Sequence, residues 1–175
     1  MKKIILILII IISFFIIKNY KEEVIIPSEA IRFRIIGNSN SVNDQNIKKK
    51  VRANLERSII SKMNNIDDVS KAEEILKNSI PELEQIVEKT LIDNNYNKKY
   101  NVNFGYNYFP EKKYKGVTYK EGKYKSLVVT LGSGNGDNWW CVLFPPLCLV
   151  EAEETEDTTK VEYRFFIIDL IDKYF

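Results

Sequence analysis

Apolar and basic residues alternate from Ala30 to Ile36, predicting a strand with Ile31, Phe33 and Ile35 on one face and Arg32 and Arg34 on the other. The stretch Gly37–Asp44 breaks this pattern. Ser41 or Asn43 is placed to cap the helix that follows, with Asp44 in its first turn. That helix runs to about Met63: Ile47, Val51, Leu55 and Ile59 form an i, i+4 stripe, and Lys48, Lys49 and Arg52 turn outward. A second helix is predicted over Val69–Asn78. Pro81, favoured in a first turn, opens a third running to about Ile92 with Leu83, Ile86, Val87 and Leu91 on its apolar face. From Tyr100 the period becomes two, with Val102, Phe104, Tyr106 and Tyr108 on one side; Pro110 and Gly116 mark turns. Ser126–Leu131 and Trp139–Phe144 read as strands joined through Gly132–Asn138 into a long-looped hairpin. Glu151–Asp157 reads as a solvated acidic loop. Val161, Tyr163, Phe165 and Ile167 alternate in a last strand. The order predicts an α+β domain over residues 24–175, a helical block packed on a mostly antiparallel sheet, with residues 158–175 as C-terminal strand and tail.

Before this domain, Lys2 and Lys3 precede an apolar run, Ile4–Ile17, broken by Ser13 alone. A basic start ahead of such a run reads as a signal peptide or signal anchor over residues 1–23. As a helix the run spans roughly 21 Å, short of a hydrocarbon core of roughly 30 Å. No small-residue cleavage site follows closely, so cleaved and anchored forms both stay open. Export makes disulfides permissible.

Composition narrows the chemistry. The net charge of +2 gives no electrostatic case for nucleic acid, and charged residues at 29% with apolar residues at 45% are those of a globular chain. Histidine is absent, which removes the commonest general base and metal ligand and every Ser-His-Asp or Cys-His arrangement. No catalytic residues, metal, cofactor or small-molecule substrate are expected. The run GSGNGD lacks the Gly-Lys-Ser/Thr ending of a phosphate loop and leads into a strand, so a turn requiring positive φ is the better reading.

Two features remain. Cys141 and Cys148 lie among Trp, Val, Leu and Phe, without the positive neighbour that activates a thiolate. They are either a short-loop disulfide, which Pro145 and Pro146 help to close, or two buried thiols; export favours the disulfide. Trp139 and Trp140 are adjacent and face opposite ways on a strand. One reaches the core; the other covers a second layer or meets a partner, and both packing under neighbouring elements is the alternative. Arg32 and Arg34 are expected to pair with Asp44, pinning strand to helix. The Lys48–Lys50 and Arg52 face reads as solvated, with anionic lipid as its possible contact.

The run NWWCVLFPPLC, Asn138–Cys148, closely resembles the signature of the stage II sporulation protein R family of endospore-forming bacteria. Two further blocks resemble it. One holds Arg32, Asn38, Ser39, Asp44, Gln45, Lys48, Val51 and Arg52. The other holds Phe109, Pro110, Tyr114, Gly116, Gly122, Tyr124, Gly132 and Gly134. The resemblance spans roughly Ile31 to Val150. Two positions depart: Arg34 stands where the family usually has histidine, and Gly37 where it has alanine. That histidine is therefore not essential chemistry here. The resemblance implies an exported forespore signal that reaches the space between forespore and mother cell. There it would trigger a membrane-embedded sporulation aspartic protease of the GA type, which processes the precursor of the early mother-cell sigma factor. It would act as a ligand, not a catalyst, presenting Trp139, Trp140, Phe144, Pro145, Pro146 and Leu147 to its partner. A wall hydrolase or a structural envelope protein are the rival classes.

Overall fold

The structure, a computed structural model, describes residues 24–114, 117–147 and 160–175. The N-terminal apolar run, Gly116, Cys148 and the acidic loop lie outside the described residues.

A four-stranded sheet forms the centre, ordered β3-β6-β2-β7, from β2 (Ile31–Ile36), β3 (Tyr100–Phe109), β6 (Gly122–Leu131) and β7 (Asn138–Phe144). Two of its three pairings are antiparallel; β2 runs parallel to β6. One face is covered by an antiparallel helix pair, α1 (Val42–Met63) and α2 (Val69–Asp93). Against them lie Phe33, Ile35, Leu127, Val129 and Leu131, all fully buried; burying each such side chain contributes roughly 2 kcal/mol. A smaller sheet, β1-β5-β4, comprises β1 (Val24–Ile25), β5 (Val117–Tyr119) and β4 (Lys112–Tyr114). With α3 (Lys160–Tyr174) it builds a second core of Ile26, Ala30, Val117, Val142, Leu147 and Ile167.

Helix α1 forms as its pattern predicts. Ser41 is its N-cap, its side chain accepting from the Asp44 N–H, and Ile47, Val51, Leu55, Ile59 and Met63 are buried. The helix pair is laced by Asn54 to Thr90 at 2.9 Å and Lys62 to Glu82 at 2.7 Å.

Four expectations are corrected. Pro81 does not start a helix; it sits inside α2. The buried positions Ala72, Leu76, Ser79, Leu83, Val87 and Thr90 run through it at a spacing of three and four, and that packing outweighs a proline penalty of about 3 kcal/mol. The segment read as a last strand is the helix α3. Alternation up to Ile167 fits a strand, but Ile167, Ile171 and Tyr174 continue at helical spacing and pack inward. β6 and β7 are not a hairpin, because β2 lies between them. The connection must step over a strand, about 10 Å, which a loop of this length spans and a tight turn does not. Finally, Lys48 is buried, not outward; Lys49 and Lys50 are exposed and Arg52 is half-buried.

Candidate functional site

Stepping over β2 brings the two glycine-containing blocks together. The loop from Gly132 to Asp137 lies on the turn between β2 and α1, and Asn38 is the clamp. Its Oδ1 accepts from the Ser133 N–H at 2.9 Å, its carbonyl accepts from the Ser133 hydroxyl at 3.0 Å and the Asn135 N–H at 3.2 Å. Gly132 (φ 57) and Gly134 (φ 68) take the left-handed backbone, and a Cβ on Gly132 would collide with the Asn38 side chain. Gly136 passes so close to the Ser39 carbonyl that it has no room for a side chain either.

Beneath this crossover sits Asp44, 7% exposed. It accepts hydrogen bonds from Ser39 at 2.5 Å, Asn38 at 2.8 Å and Tyr96 at 2.7 Å. The Ser39 and Asn38 bonds lead in holding its pKa down to about 2, against an opposing effect of burial. Burial and the bond to Asp44 push the Tyr96 hydroxyl above its ordinary range. Lys48 donates to Gln45 Oε1 at 2.6 Å and to the Asp137 carbonyl at 2.7 Å, and burial lowers its pKa. Gln45 Nε2 donates to the Ser39 carbonyl at 2.8 Å. Every one of these groups is used in holding two loops together, so the chemistry here is architectural. The expected Asp44 pairing with Arg32 and Arg34 does not occur. Those arginines project from the sheet face opposite the helices, as strand alternation requires.

The tryptophans do face opposite ways, and both are half-buried. Trp139 is on the helix side, edge-on to Phe33 at 5.2 Å, with the Arg52 guanidinium 4.1 Å from its ring centroid. Arg52 also bonds Glu56 at 3.0 Å, yet burial still lifts the Glu56 carboxyl above its ordinary value. Trp140 is on the other side, 5.1 Å from the Phe109 ring, with Arg34 at 4.4 Å and Lys112 at 5.2 Å. Phe144, Pro145 and Leu147 are buried and Pro146 half-buried. Tyr174 and Phe175 pack on Phe144 at 5.0 and 6.4 Å, so the end of α3 closes over this turn. Of the six residues expected at a contact surface, Trp139, Trp140 and Pro146 keep accessible area. Cys141 is disulfide-bonded; the sequence holds one other cysteine, Cys148, outside the described residues. Val51 is core, and Asn138 opens β7, its buried Oδ1 having no partner among the described residues.

Sequence reasoning missed Tyr96, the third donor to Asp44, and Lys112 beside Trp140; it singled out Phe109 but not its place against Trp140. Tyr96 and Lys112 carry no local signal; Tyr96 is placed by the turn after α2 and Lys112 by β4, each far along the chain from its partner. Among the described residues no group of three His, Cys, Asp or Glu could hold a metal, and no helix is long and apolar enough to cross a membrane.

A family model described as stage II sporulation protein R matches residues 27–154, which include the whole crossover and both tryptophans. The chain belongs to the stage II sporulation protein R family. Over 145 residues it is 35% identical to "Stage II sporulation protein R" of Bacillus subtilis (strain 168), an alignment covering 83% of this chain. It spans 65% of the length of that relative. No solved structure matches. Helix α3 lies beyond the segment matched to the stage II sporulation protein R family.

Proposed function

We propose that the chain is a sporulation signal, exported from the forespore by its N-terminal segment, that triggers a membrane-embedded aspartic protease. That protease then processes the precursor of the early mother-cell sigma factor. Membership in the stage II sporulation protein R family carries this reading. The protein works as a ligand in the intermembrane space, without a cofactor or catalytic residue of its own, either secreted or held by an uncleaved anchor. The part-exposed Trp139 and Trp140 supply a contact surface of the composition that dominates protein interfaces, and Cys141 in a disulfide suits an oxidising compartment. Binding shifts the protease toward its active assembly by differential affinity for that state.

The test is an immunoblot of the sigma-factor precursor in sporulating cells lacking this gene. Uncut precursor, cut again when the gene is expressed only in the forespore, is the expected result. Normal cutting without the gene would sink the reading. The contact surface has its own test. Trp139→Ala and Trp140→Ala chains that fold, are exported and still give full processing would remove the tryptophans from the mechanism.

A further inference from the structure

Buried cations in folded proteins are normally paired. On the sheet face away from α1 and α2, two arginines have no acidic partner among the described residues. Arg32 is 2% exposed, and its side chain makes one long hydrogen bond among the described residues, Nη1 to the Lys120 carbonyl at 3.5 Å. Its Nε and Nη2 are buried without a partner. The guanidinium lies 3.3 Å from the Tyr124 ring centroid and 5.4 Å from that of Phe109. One step along β2, Arg34 is half-buried over Trp140, and its Nε is also buried and unpartnered. Lys112 approaches the same tryptophan from β4 and is exposed. Phe109 joins the two halves, 6.3 Å from Tyr124 and 5.1 Å from Trp140.

Burial pushes both guanidinium groups below their ordinary value, and no carboxylate counters it. Both stay charged all the same. Three cations and three rings therefore share one face, and among the described residues no acid pairs with either arginine. Stacking on rings offsets part of the desolvation but leaves the in-plane N–H groups unsatisfied. The face is graded as well: Arg32 is its closed inner end, and Arg34, Trp140 and Lys112 form an accessible rim. A planar carboxylate arriving at the rim would meet the fork of Arg34 with the flat Trp140 ring behind it, and Lys112 and Arg32 would add field from either side.

We propose that the rim formed by Arg34, Trp140 and Lys112, backed by Arg32, receives the carboxylate of an aspartate or glutamate in a partner polypeptide. The proposal deepens the trigger reading above and rests on it for the partner's location, since Trp140 belongs to both. Small inorganic anions share the chemistry, so the test must separate them.

The purified full-length chain is titrated with a blocked tetraglutamate peptide and, separately, with inorganic phosphate, following tryptophan fluorescence. A saturable change with the peptide is expected, lost in Trp140→Phe and weakened about tenfold by Arg34→Gln, the loss of one charge-assisted contact. Lys112→Glu, at an exposed position that a fold tolerates, is expected to weaken it as well. Phosphate binding as tightly as the peptide would overturn the polypeptide assignment, and no response to either would overturn the site. In sporulating cells, an Arg34→Gln/Lys112→Gln chain at normal level is expected to support only slow processing of the precursor by the protease. Full processing in cells carrying that chain, with none in the deletion, discards the carboxylate site and keeps the trigger. Full processing in the deletion discards the trigger, while the titration still judges the site.

Discussion

The crossover around Asp44 and the arginine face around Trp140 are both polar, both partly or wholly buried, and both carried by β2 and its flanks. They differ in satisfaction. Asp44 has a donor on each side and Lys48 has two acceptors, whereas Arg32 and Arg34 have buried Nε atoms with no partner among the described residues. A buried network in which every member is used specifies a fold. One that is left incomplete costs stability, a cost that the proposed carboxylate of a partner would offset in part. The same strand thus supplies architecture at its end and an unfilled valence along its length.

The comparison breaks most sharply at Asp44. Asp44→Ala leaves the buried Tyr96 hydroxyl and the half-buried Asn38 and Ser39 donors without this acceptor, so unfolding stability is expected to fall by about 3–5 kcal/mol in a denaturant titration. A loss under about 1 kcal/mol would mean the crossover holds by its backbone alone. Gly132→Ala is next: a strained φ plus a collision with Asn38 is expected to lower stability by about 2 kcal/mol. Acid gives a smaller and graded effect. The folded Asp44 carboxyl sits at about 2, below the usual unfolded value of about 3.9, so its contribution is complete above about pH 4. It is lost as pH falls toward 2, and Asp44→Asn should flatten the stability profile across that window. The arginine face is expected to move least. Arg34→Gln removes an unpaired, half-buried charge and should change melting stability by no more than about 0.5 kcal/mol, while impairing recognition. A loss as large as that of Asp44→Ala would erase the distinction between the two regions.

How much of this was legible from the chain depended on range. The cap, which falls on Ser41 of the two candidates Ser41 and Asn43, the α1 stripe from Ile47 to Ile59 and the opposed tryptophans are local patterns that hold in the structure. Asn38, Ser39, Asp44, Gln45 and Lys48 stood out beside Gly132 and Gly134 as blocks, but nothing local said that they touch. That depends on β2 entering between β6 and β7, a pairing between residues roughly a hundred positions apart. The same ignorance of topology misdirected Asp44 toward the arginines, since a strand pattern separates two faces without saying which one a helix covers. Pro81 and α3 went astray for a different reason: local propensity was set against packing visible only in three dimensions.

The placement of β2 also has a consequence for how the chain reaches its compartment. β2 comes first along the chain among the strands of the four-stranded sheet, yet it is an inner strand, and its two partners, β6 and β7, are not supplied until residues 122–144. An emerging chain therefore cannot complete its core early, because β2 waits for partners in the last third of the polypeptide. On the proposed route through a membrane that delay is useful. The chain stays threadable until nearly all of it has passed, and the clasp of Ser133 on Asn38 closes on the far side.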